Sequence, residues 1–504
     1  MKYIHFLLLI LLTIFQQIIL TSTQSQINLL TAKEIVSNLK VGINLGNSLE
    51  SNLNEENWGN PATTQEIIDG IFQKDFSSIR IPIRWDQHFS NAESYTIEFS
   101  YFNRVKQVVD YTYNKYSNKY IIINIHHDSI QEEYEESNKN KICDQLTKVW
   151  TQIANYFKEY DQRLIFEVIN EPRNGDNWSG TKAEHEVVNY CNECARNAIR
   201  KTGGLNAKGR LIGLPSYAAS AYISELKDWE LVQGIDNDEY IAVSIHGYIP
   251  SSFTDELTNF NSFDDYKVHN ELDYHFKLIK KLFIDKNINM PIYIGEFGSM
   301  NFIDLNTRVK HAELYAKYAR KYKIPVFWWD NGSSFAIYNR NTKQYIYPEI
   351  ADAMIEIYKR ENFEFDENYG LYPFIFFNES KVIDKWESYE ILTFKNSKGV
   401  FNPILLNKNT YFKIEYNCLD DKENDCVNIV FQSWSGGEGW TRVSDGNISY
   451  DTNKKRYIKI INFDTINETY NLSDLSLSLL DSVSALSTFS QSIIYSFSLE
   501  LIEL

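Results

Sequence analysis

Two glutamates follow apolar, β-branched runs that lie far apart in the sequence. The first run, residues 164–170, leads into Glu171 and Pro172. Pro172 has no backbone N–H and cannot continue a strand ladder, so the strand must break where Glu171 emerges. The second run, residues 291–295, leads into Glu296. One such carboxylate could simply pair with an arginine, but two carboxylates at the tips of different strands are what a retaining glycosidase requires.

Polar or aromatic side chains also lie at the C-terminal end of nearly every other apolar run before about residue 360. A buried strand has no structural need for such residues at its end. Each has an ordinary explanation alone: Arg80 as an internal ion pair, His126 as a core imidazole, a tryptophan as packing. Parallel strands share one direction, so all of these residues would face the same C-terminal rim. Their number therefore favours one shared site. The candidates are Asn47, Arg80, His126, Asn170, His246, Tyr248, Trp328 and Trp329.

The elements that would position these residues alternate eight times between strand and helix. This alternation predicts an α/β fold, specifically a (β/α)8 TIM barrel. A doubly wound open sheet is the alternative, but it would carry a phosphate-binding glycine pattern after its first strand, and residues 42–46 lack that spacing. The predicted strands are 41–45, 78–83, 120–125, 164–171, 210–214, 240–245, 291–296 and 324–329. The predicted helices are 64–76, 99–116, 143–157, 183–201, 218–226, 269–284, 309–322 and 348–358.

Beyond about residue 362, helical periodicity ends and strand-like runs follow, which predicts a smaller all-β sandwich domain. We expect three parts: a signal peptide over residues 1–25, a catalytic barrel over 27–362 and a β-sandwich over 366–504. Exposed-looking aromatic residues favour a carbohydrate-binding module in the last part, whereas the lack of a long linker favours a structural domain. The aromatic candidates are Trp434, Trp440 and Tyr450.

The leader and the charge predict a secreted, extracellular protein. Residues 4–20 are almost uninterrupted apolar residues behind a single lysine, as in a secretory signal, and a signal anchor is the alternative. We therefore expect no membrane contact after cleavage. The formal net charge of −17 argues against nucleic acid or anionic membranes as partners and suits a neutral substrate.

Five cysteines are too few for a disulfide scaffold. Cys418 and Cys426 flank a polar loop between two strand-like runs, so a hairpin-closing disulfide is plausible in an oxidising compartment. Cys191 and Cys194 form a C-x-x-C within a helical stretch that has no second pair. We read them as two residues on one helix face rather than as a metal or redox site.

The sequence resembles glycoside hydrolase family 5, and within it subfamily 4, whose members are endo-β-1,4-glucanases, lichenases and xyloglucanases. The matching strings occur in family order and cover roughly residues 30–360. They differ from relatives at Ile43, where tryptophan is frequent, and at Asp128, where glutamate is frequent. The strings are residues 42–47, 58–61, 78–82, 123–127, 170–173, 244–248, 294–298 and 327–332.

The resemblance implies that Glu171 is the acid/base and Glu296 the nucleophile, with carboxyl groups about 5–5.5 Å apart. Arg80 would keep Glu296 ionised, His246 would tune the proton affinity of Glu171, and Tyr248 would hydrogen-bond the nucleophile.

The resemblance also implies a set of sugar contacts. Asn170 would contact the 2-hydroxyl, while His126 and Asn47 would contact the substrate elsewhere. Trp329 would form the floor under the sugar at the cleavage point, with Trp328 as the alternative. Three tryptophans predicted on rim loops could either stack on sugars or pack: Trp58, Trp85 and Trp178.

The expected function is a secreted, monomeric, retaining endo-β-1,4-glucanase that acts on cellulose, mixed-linkage glucan or xyloglucan without a cofactor or metal. Three alternatives remain open. They are a β-mannanase of the same clan, a non-catalytic polysaccharide-binding protein, and a metal-dependent barrel hydrolase that uses His126, His127 and His246.

Overall fold

A computed structural model describes most of the chain from residue 29 onward. The predicted signal peptide and the aromatic candidate Trp434 lie outside the described residues. Within the described part, no helix is long and apolar enough to span a bilayer. The described ranges are 29–230, 238–254, 265–285, 290–365, 374–377, 380–393, 410–419, 424–432, 440–443, 446–462, 482–487 and 491–501.

Eight parallel strands close into a barrel, and each strand lies beside its neighbour in sequence, with the last beside the first. The predicted α/β barrel is therefore confirmed, and the open-sheet alternative is wrong. The strands are β1 (Val41–Asn44), β2 (Ser78–Ile81), β3 (Tyr120–Asn124), β4 (Leu164–Glu167), β5 (Ile212–Ser220), β6 (Ile241–His246), β7 (Ile292–Phe297) and β8 (Val326–Trp328).

Helices connect the strands and cover the outside of the barrel. Their apolar faces and the outward residues of the strands form one large core. The helices are Ala32–Leu39, Gln65–Ile71, Phe99–Tyr113, Lys139–Tyr156, Lys182–Lys201, Ile223–Leu226, Asp265–Ile279 (continued by a π-helix, Lys280–Asp285), Leu305–Tyr322 and Pro348–Lys359. Two hairpins decorate the loops: Phe89–Asn91 with Thr96–Ile97, and Tyr338–Asn339 with Gln344–Tyr345.

The helix Ala32–Leu39, which the sequence analysis did not predict, closes the N-terminal end of the barrel. It begins with a capping box in which the side chains of Thr31 and Glu34 each bond the other's backbone N–H. Its buried face packs against apolar residues from the barrel interior, among them Ile122 and Ile165. This end of the barrel is therefore filled with hydrocarbon.

The barrel interior changes from apolar to polar along each strand. Successive residues of a strand point to opposite sides, so Glu167 faces the same side as Ile165, and Asn124 the same side as Ile122. Both polar residues are fully buried. The upper layer of the barrel therefore presents hydrogen-bonding groups to the mouth, while the lower layer is hydrocarbon.

The C-terminal region contains two antiparallel sheets, in agreement with the predicted all-β domain. The two sheets together contain ten strands among the described residues. One sheet has six strands: Phe374–Phe377, Lys381–Ile383, Thr410–Cys418, Asn447–Asp451, Arg456–Asn462 and Ser492–Leu501. The other has four: Ser388–Thr393, Val427–Gln432, Trp440–Val443 and Ser482–Ser487.

Two disulfides cross-link the chain. Cys418 and Cys426 are bonded as the sequence suggested. The second bond joins Cys143 to Cys194 and ties two neighbouring barrel helices together. Reading the C-x-x-C as two residues on one helix face was therefore incomplete, because Cys194 is oxidised and Cys191 is a buried free thiol.

Replacing both Cys143 and Cys194 by alanine should lower the free energy of unfolding by about 2–4 kcal/mol, because the bond constrains a long loop of the unfolded chain. The bonded residues are 51 apart in sequence. Thermal and denaturant unfolding of the double variant measures the loss. Titration of the denatured, unreduced wild type should find one thiol among the five cysteines, and five thiols would refute both bonds.

Candidate active site

Glu171 and Glu296 meet at the open mouth of the barrel, although 125 residues separate them in the chain. Glu296 lies in β7, whereas Glu171 follows the end of β4. His246, the last residue of β6, lies between them. Its Nδ1 is 2.8 Å from Glu171 Oε1 and 3.6 Å from Glu296 Oε2. One oxygen of each carboxylate and one nitrogen of the imidazole all lie within 4.8 Å of one another.

Arg80 lies beneath this pair and is fully buried. One arm of its guanidinium, Nη1, donates to Glu296 Oε1 at 2.6 Å and to Asn44 Oδ1 at 3.0 Å. The other arm, Nη2, donates to Glu167 Oε1 at 2.6 Å and to Asn170 Oδ1 at 2.8 Å. The planar fork therefore fixes side chains from β1, β4 and β7 at once.

Glu167 is a buried carboxylate that the sequence analysis missed as part of the site. Besides Arg80, it accepts hydrogen bonds from Asn124 at 2.9 Å, from Ser244 at 3.0 Å and from Tyr293 at 2.9 Å. The sequence did contain a signal for Glu167, namely an acidic residue inside an otherwise apolar strand. A buried carboxylate needs a cation partner, so such a residue indicates an internal ion pair. Asn44 was missed in the same way, within β1.

The charges of Arg80 and Glu167 stabilise each other. Burial opposes the charge of Arg80, but the carboxylates of Glu167 and Glu296 outweigh it and hold the pKa of Arg80 above its ordinary value. Burial likewise opposes ionisation of Glu167, but the charge and hydrogen bonds of Arg80 hold the pKa of Glu167 below its usual range. Both groups are therefore ionised at neutral pH, and Arg80 is a permanent cation below the mouth.

The proton balance at the mouth differs from the sequence expectation. Burial raises the pKa of Glu296, and the opposing charges of His246 and Arg80 do not cancel that rise. Burial also acts on Glu171, but the hydrogen bond and charge of His246 lower its pKa. Against the effect of burial, both carboxylates raise the pKa of His246. The expected contact of Arg80 with Glu296 is present, but burial outweighs its effect on the pKa.

His246 Nδ1 and Glu171 Oε1 are close enough, at 2.8 Å, to share a proton. Tyr248 adds a second donor to the other carboxylate, with its hydroxyl 2.8 Å from Glu296 Oε2. Glu296 therefore accepts fixed hydrogen bonds from Arg80 and Tyr248, while Glu171 is the carboxyl group that can exchange a proton with its neighbour.

The remaining polar candidates differ in how directly they reach the mouth. Asn170 accepts from Arg80 through Oδ1, which leaves its Nδ2 as the group available to donate. Burial, together with nearby positive groups, holds the pKa of His126 well below its usual range, so this ring is neutral. Asn47 lies on the loop after β1 and contacts its neighbours through its backbone, with its N–H bonded to Glu50 and its carbonyl to Asn60.

The tryptophans separate into buried and accessible residues. Trp328 is fully buried and donates to the carbonyl of Phe335 at 3.0 Å, so it cannot contact a sugar. Trp85 is also fully buried and donates to the carbonyl of Asn124 at 2.9 Å. The expectation that these two rings could stack on sugars is therefore wrong. Trp329 is 9% exposed, and its ring lies parallel to that of His126, with centroids 5.9 Å apart.

Two side chains that the sequence analysis missed hold the loops after β1 and β8 together around Trp329. Asn60 donates to the carbonyls of Asn47 and Asn331 at 2.9 and 3.0 Å. Arg340 donates to the carbonyls of Gly46 and Asp330. A Cβ at Gly46 would lie 2.9 Å from the Trp329 ring, so the close approach requires glycine.

The residues at the mouth are better suited to proton transfer than to metal binding. Among the described residues, one group of three could hold an ion, formed by Glu171, His246 and Glu296. The guanidinium of Arg80 already supplies a cation 2.6 Å from Glu296. The set His126, His127 and His246, considered from the sequence, forms no such group in the described part of the chain.

Comparison with known proteins places both regions of the chain. Residues 41–335 match the family described as cellulase (glycosyl hydrolase family 5), and residues 377–496 match carbohydrate binding module 65 domain 1. The chain is 38% identical over 355 residues to Endoglucanase B of Clostridium cellulovorans, covering 67% of this chain and 78% of that protein. The expected carbohydrate-binding module is thereby supported.

Solved structures agree with the sequence matches. A GH5-4 broad specificity endoglucanase from Clostridium cellulovorans superposes with a TM-score of 0.61 at 36% identity, covering 65% of this chain and 96% of that chain. One from Ruminococcus champanellensis with bound cellotriose gives a TM-score of 0.61 at 33% identity, covering 66% and 100%. The resemblance inferred from the sequence is confirmed: the chain belongs to glycosyl hydrolase family 5 and is a glycoside hydrolase of the cellulase type.

Proposed function

We propose that the chain is a secreted endo-β-1,4-glucanase that hydrolyses β-glucan chains with retention of anomeric configuration. The observation that carries the proposal is the approach of Glu171 and Glu296 to within 4.8 Å, oxygen to oxygen. Retaining glycosidases need their two carboxyl groups about 5–5.5 Å apart, whereas inverting enzymes need about 6.5–9.5 Å to admit a water. The spacing at this mouth supports attack by a carboxylate.

In the first step, Glu296 attacks the anomeric carbon and the bond from that carbon to the leaving oxygen breaks. Glu171 gives its proton to that oxygen, so the released chain leaves as an alcohol. His246 supports this transfer, because its Nδ1 lies 2.8 Å from Glu171 Oε1 and can pass a proton to that carboxyl group. The product is a glycosyl ester of Glu296.

In the second step, water replaces Glu296 at the anomeric carbon. Glu171, now ionised, takes a proton from that water as it attacks, and the ester bond breaks to restore Glu296. Two displacements at one carbon return the original configuration. Each carboxyl group ends in its starting state, so no other reactant is needed.

The neighbouring residues orient the reaction. Arg80 and Tyr248 fix the two oxygens of Glu296, so that one lone pair is directed at the sugar. Asn170 and His126 contact sugar hydroxyls, where bonds tighten as positive charge develops on the ring. Trp329 forms the floor beneath that sugar, and Asn47 contacts the substrate from the loop after β1.

The β-sandwich would hold the enzyme on its polysaccharide. The match to carbohydrate binding module 65 supports this role, and Tyr450 is half exposed. Trp440 lies in the strand Trp440–Val443. Secretion agrees with the two disulfides and with the apolar leader at residues 4–20. We further propose that the enzyme acts as a monomer on a β-1,4-linked glucan.

A panel of polysaccharides tests the substrate class. The wild type should release reducing ends from carboxymethylcellulose, mixed-linkage β-glucan and xyloglucan, because its relatives are named endoglucanases. Size analysis of early products should show internal cleavage. Release from glucomannan with none from the three glucans would contradict the proposal and favour a β-mannanase.

Replacing Glu296 by glycine should lower kcat by at least about 10⁴-fold, since no nucleophile remains. Added azide should restore turnover of an activated aryl β-cellobioside and give an α-glycosyl azide, because azide would attack once from the opposite face. Glu171→Gly with azide should instead give the β-azide. Glu93→Ala, an exposed glutamate in a hairpin turn, is the control with unchanged rate. If the two variants gave the opposite configurations from those expected, the roles of the two glutamates would be interchanged. If both variants gave the same configuration, the assignment would be refuted.

Replacing Tyr248 by phenylalanine should shift the acidic limb of the pH–kcat/KM profile to higher pH. Glu296 must be ionised to attack, and the Tyr248 hydrogen bond lowers its pKa against the rise due to burial. Losing the hydroxyl therefore raises that pKa further. Tyr134→Phe is a matched control, because its buried hydroxyl has no hydrogen-bond partner in the described part of the chain. An unmoved or downward-shifted limb would contradict the role of Tyr248.

Replacing Glu167 by glutamine should reduce the free energy of unfolding by about 3–5 kcal/mol, because it leaves the buried Arg80 with one charge partner fewer. We also expect kcat to fall, since Arg80 orients Glu296. Tyr293→Phe removes only one neutral donor to Glu167 and should cost about 1 kcal/mol. Chemical denaturation measures both variants. Equal small losses would show that the Arg80–Glu167 pair does not stabilise the barrel.

A further inference from the structure

The loop after β1 contains a turn, residues 46–48 (the β1 turn), that is held by the carboxylate of Glu50. Glu50 is fully buried. Its Oε1 accepts the backbone N–H of Asn47, and its Oε2 accepts the N–H of Ser48 at 2.8 Å. Two successive N–H groups that point at one anion form a binding nest. Asn47 has a φ of 55°, in the left-handed region that residues other than glycine rarely adopt. The carboxylate therefore stabilises a turn that the backbone alone disfavours.

The charge of Glu50 is bound by backbone N–H groups rather than by an ion pair. No cation among the described residues forms a salt bridge with it. The charge of Arg340 acts on Glu50, but the guanidinium of Arg340 donates to the carbonyls of Gly46 and Asp330 and to the hydroxyl of Ser48. Arg340 and Glu50 thus hold the β1 turn with separate sets of hydrogen bonds.

The β1 turn supports two residues that we propose as substrate contacts. Asn47 belongs to the turn itself. Gly46 donates its N–H to the carbonyl of Asp330 at 2.9 Å, and a Cβ on Gly46 would lie 2.9 Å from the Trp329 ring, so this backbone packs directly against the indole. A shift of the β1 turn would therefore displace the side chain of Asn47 and remove support from Trp329 at the same time.

The two catalytic glutamates depend on different contacts. Arg80 and Tyr248 bond Glu296, and His246 bonds Glu171. None of these residues bonds the β1 turn in the described part of the chain. Loosening the β1 turn should therefore weaken sugar binding more than it slows nucleophilic attack or proton transfer.

Glu50 can exchange its proton near neutral pH, whereas the ionisable groups on the neighbouring elements are already engaged. Burial raises the pKa of Glu50 to about 7. A protonated carboxyl group accepts hydrogen bonds from N–H groups more weakly than a carboxylate does, so the β1 turn loosens when Glu50 binds a proton. The engaged neighbours are Arg340 with Asp330, Arg84 with Asp86, Arg104 with Glu55, and Tyr101, whose hydroxyl donates to the carbonyl of Leu49.

We propose that Glu50 is a positioning residue whose ionised carboxylate fixes the β1 turn, so that Asn47 and Trp329 are in place before the sugar binds. The inference rests on the proposed function, since it takes Asn47 and Trp329 as substrate contacts. A turn fixed in advance lowers the entropic cost of binding. Burying a charge without an ion pair costs free energy, so a turn with only a structural role would be better served by a neutral side chain.

The ratio of kcat/KM for the wild type to that for Glu50→Gln, measured with cellopentaose between about pH 5.5 and 8.5, tests the proposal. Titrations at the catalytic glutamates are common to both enzymes and cancel in the ratio. Because glutamine is neutral, the ratio should be near unity at low pH, where Glu50 is protonated. It should rise to about tenfold at high pH, mostly through KM. Glu34→Gln is the matched control, since its carboxylate bonds the N–H of Thr31 at the start of the helix Ala32–Leu39. For this control the ratio should stay near unity.

The outcomes separate the positioning role from the proposed function. A ratio that rises with pH through a midpoint near 7, with the change in KM, supports the role of Glu50. A ratio that is constant, that falls, or that rises through kcat alone overturns it, while wild-type hydrolysis leaves the proposed function standing. If Glu50→Gln does not fold, the wild type decides: a KM that rises as the pH falls below about 7 supports the role, and a constant KM overturns it. If the wild type does not hydrolyse cellopentaose, the proposed function fails and the positioning role fails with it.

Discussion

The fully buried ion pair between Arg80 and Glu167 is the constraint on which the mouth of this barrel depends. Moving a guanidinium out of water is costly, and only well-placed partners offset that cost. Glu167 accepts hydrogen bonds from Nε and Nη2 of the guanidinium, and Nη1 donates to Glu296. One cation thereby connects a carboxylate in the barrel wall, Glu167, with a carboxylate at the barrel mouth, Glu296.

This constraint explains why the barrel is apolar at one end and polar at the other. The helix Ala32–Leu39 packs its apolar face against the lower end of the barrel, which is therefore filled with hydrocarbon. Near the top, Asn124, Ser244 and Tyr293 satisfy Glu167, which leaves it little freedom to move. The hydrogen-bonded pair of Glu171 and His246 lies above this layer. A precise mouth on a sealed barrel suits a reaction that needs two carboxyl groups at one fixed spacing.

The strand order and the two mouth glutamates could be predicted, because apolar runs ending in Glu171 and Glu296 leave a local signal. The sequence signal is weaker for residues that meet only across the barrel. Glu167 lies within an apolar strand, and its role depends on Arg80, which comes from another strand. The bond between Cys143 and Cys194 depends on how two helices pack. The choice between Trp329 and its alternative Trp328 depends on a single position, since successive residues of an extended chain face opposite ways.

The central claim is that Glu296 forms a covalent bond with the sugar while Glu171 moves the proton. The most direct measurement is trapping with an activated 2-deoxy-2-fluoro-β-cellobioside, which slows breakdown of the intermediate, followed by peptide mass spectrometry. The account predicts one added 2-fluorocellobiosyl group, located on the peptide that contains Glu296, with loss of activity in step. A label on another residue, or full inactivation with no label, would contradict it.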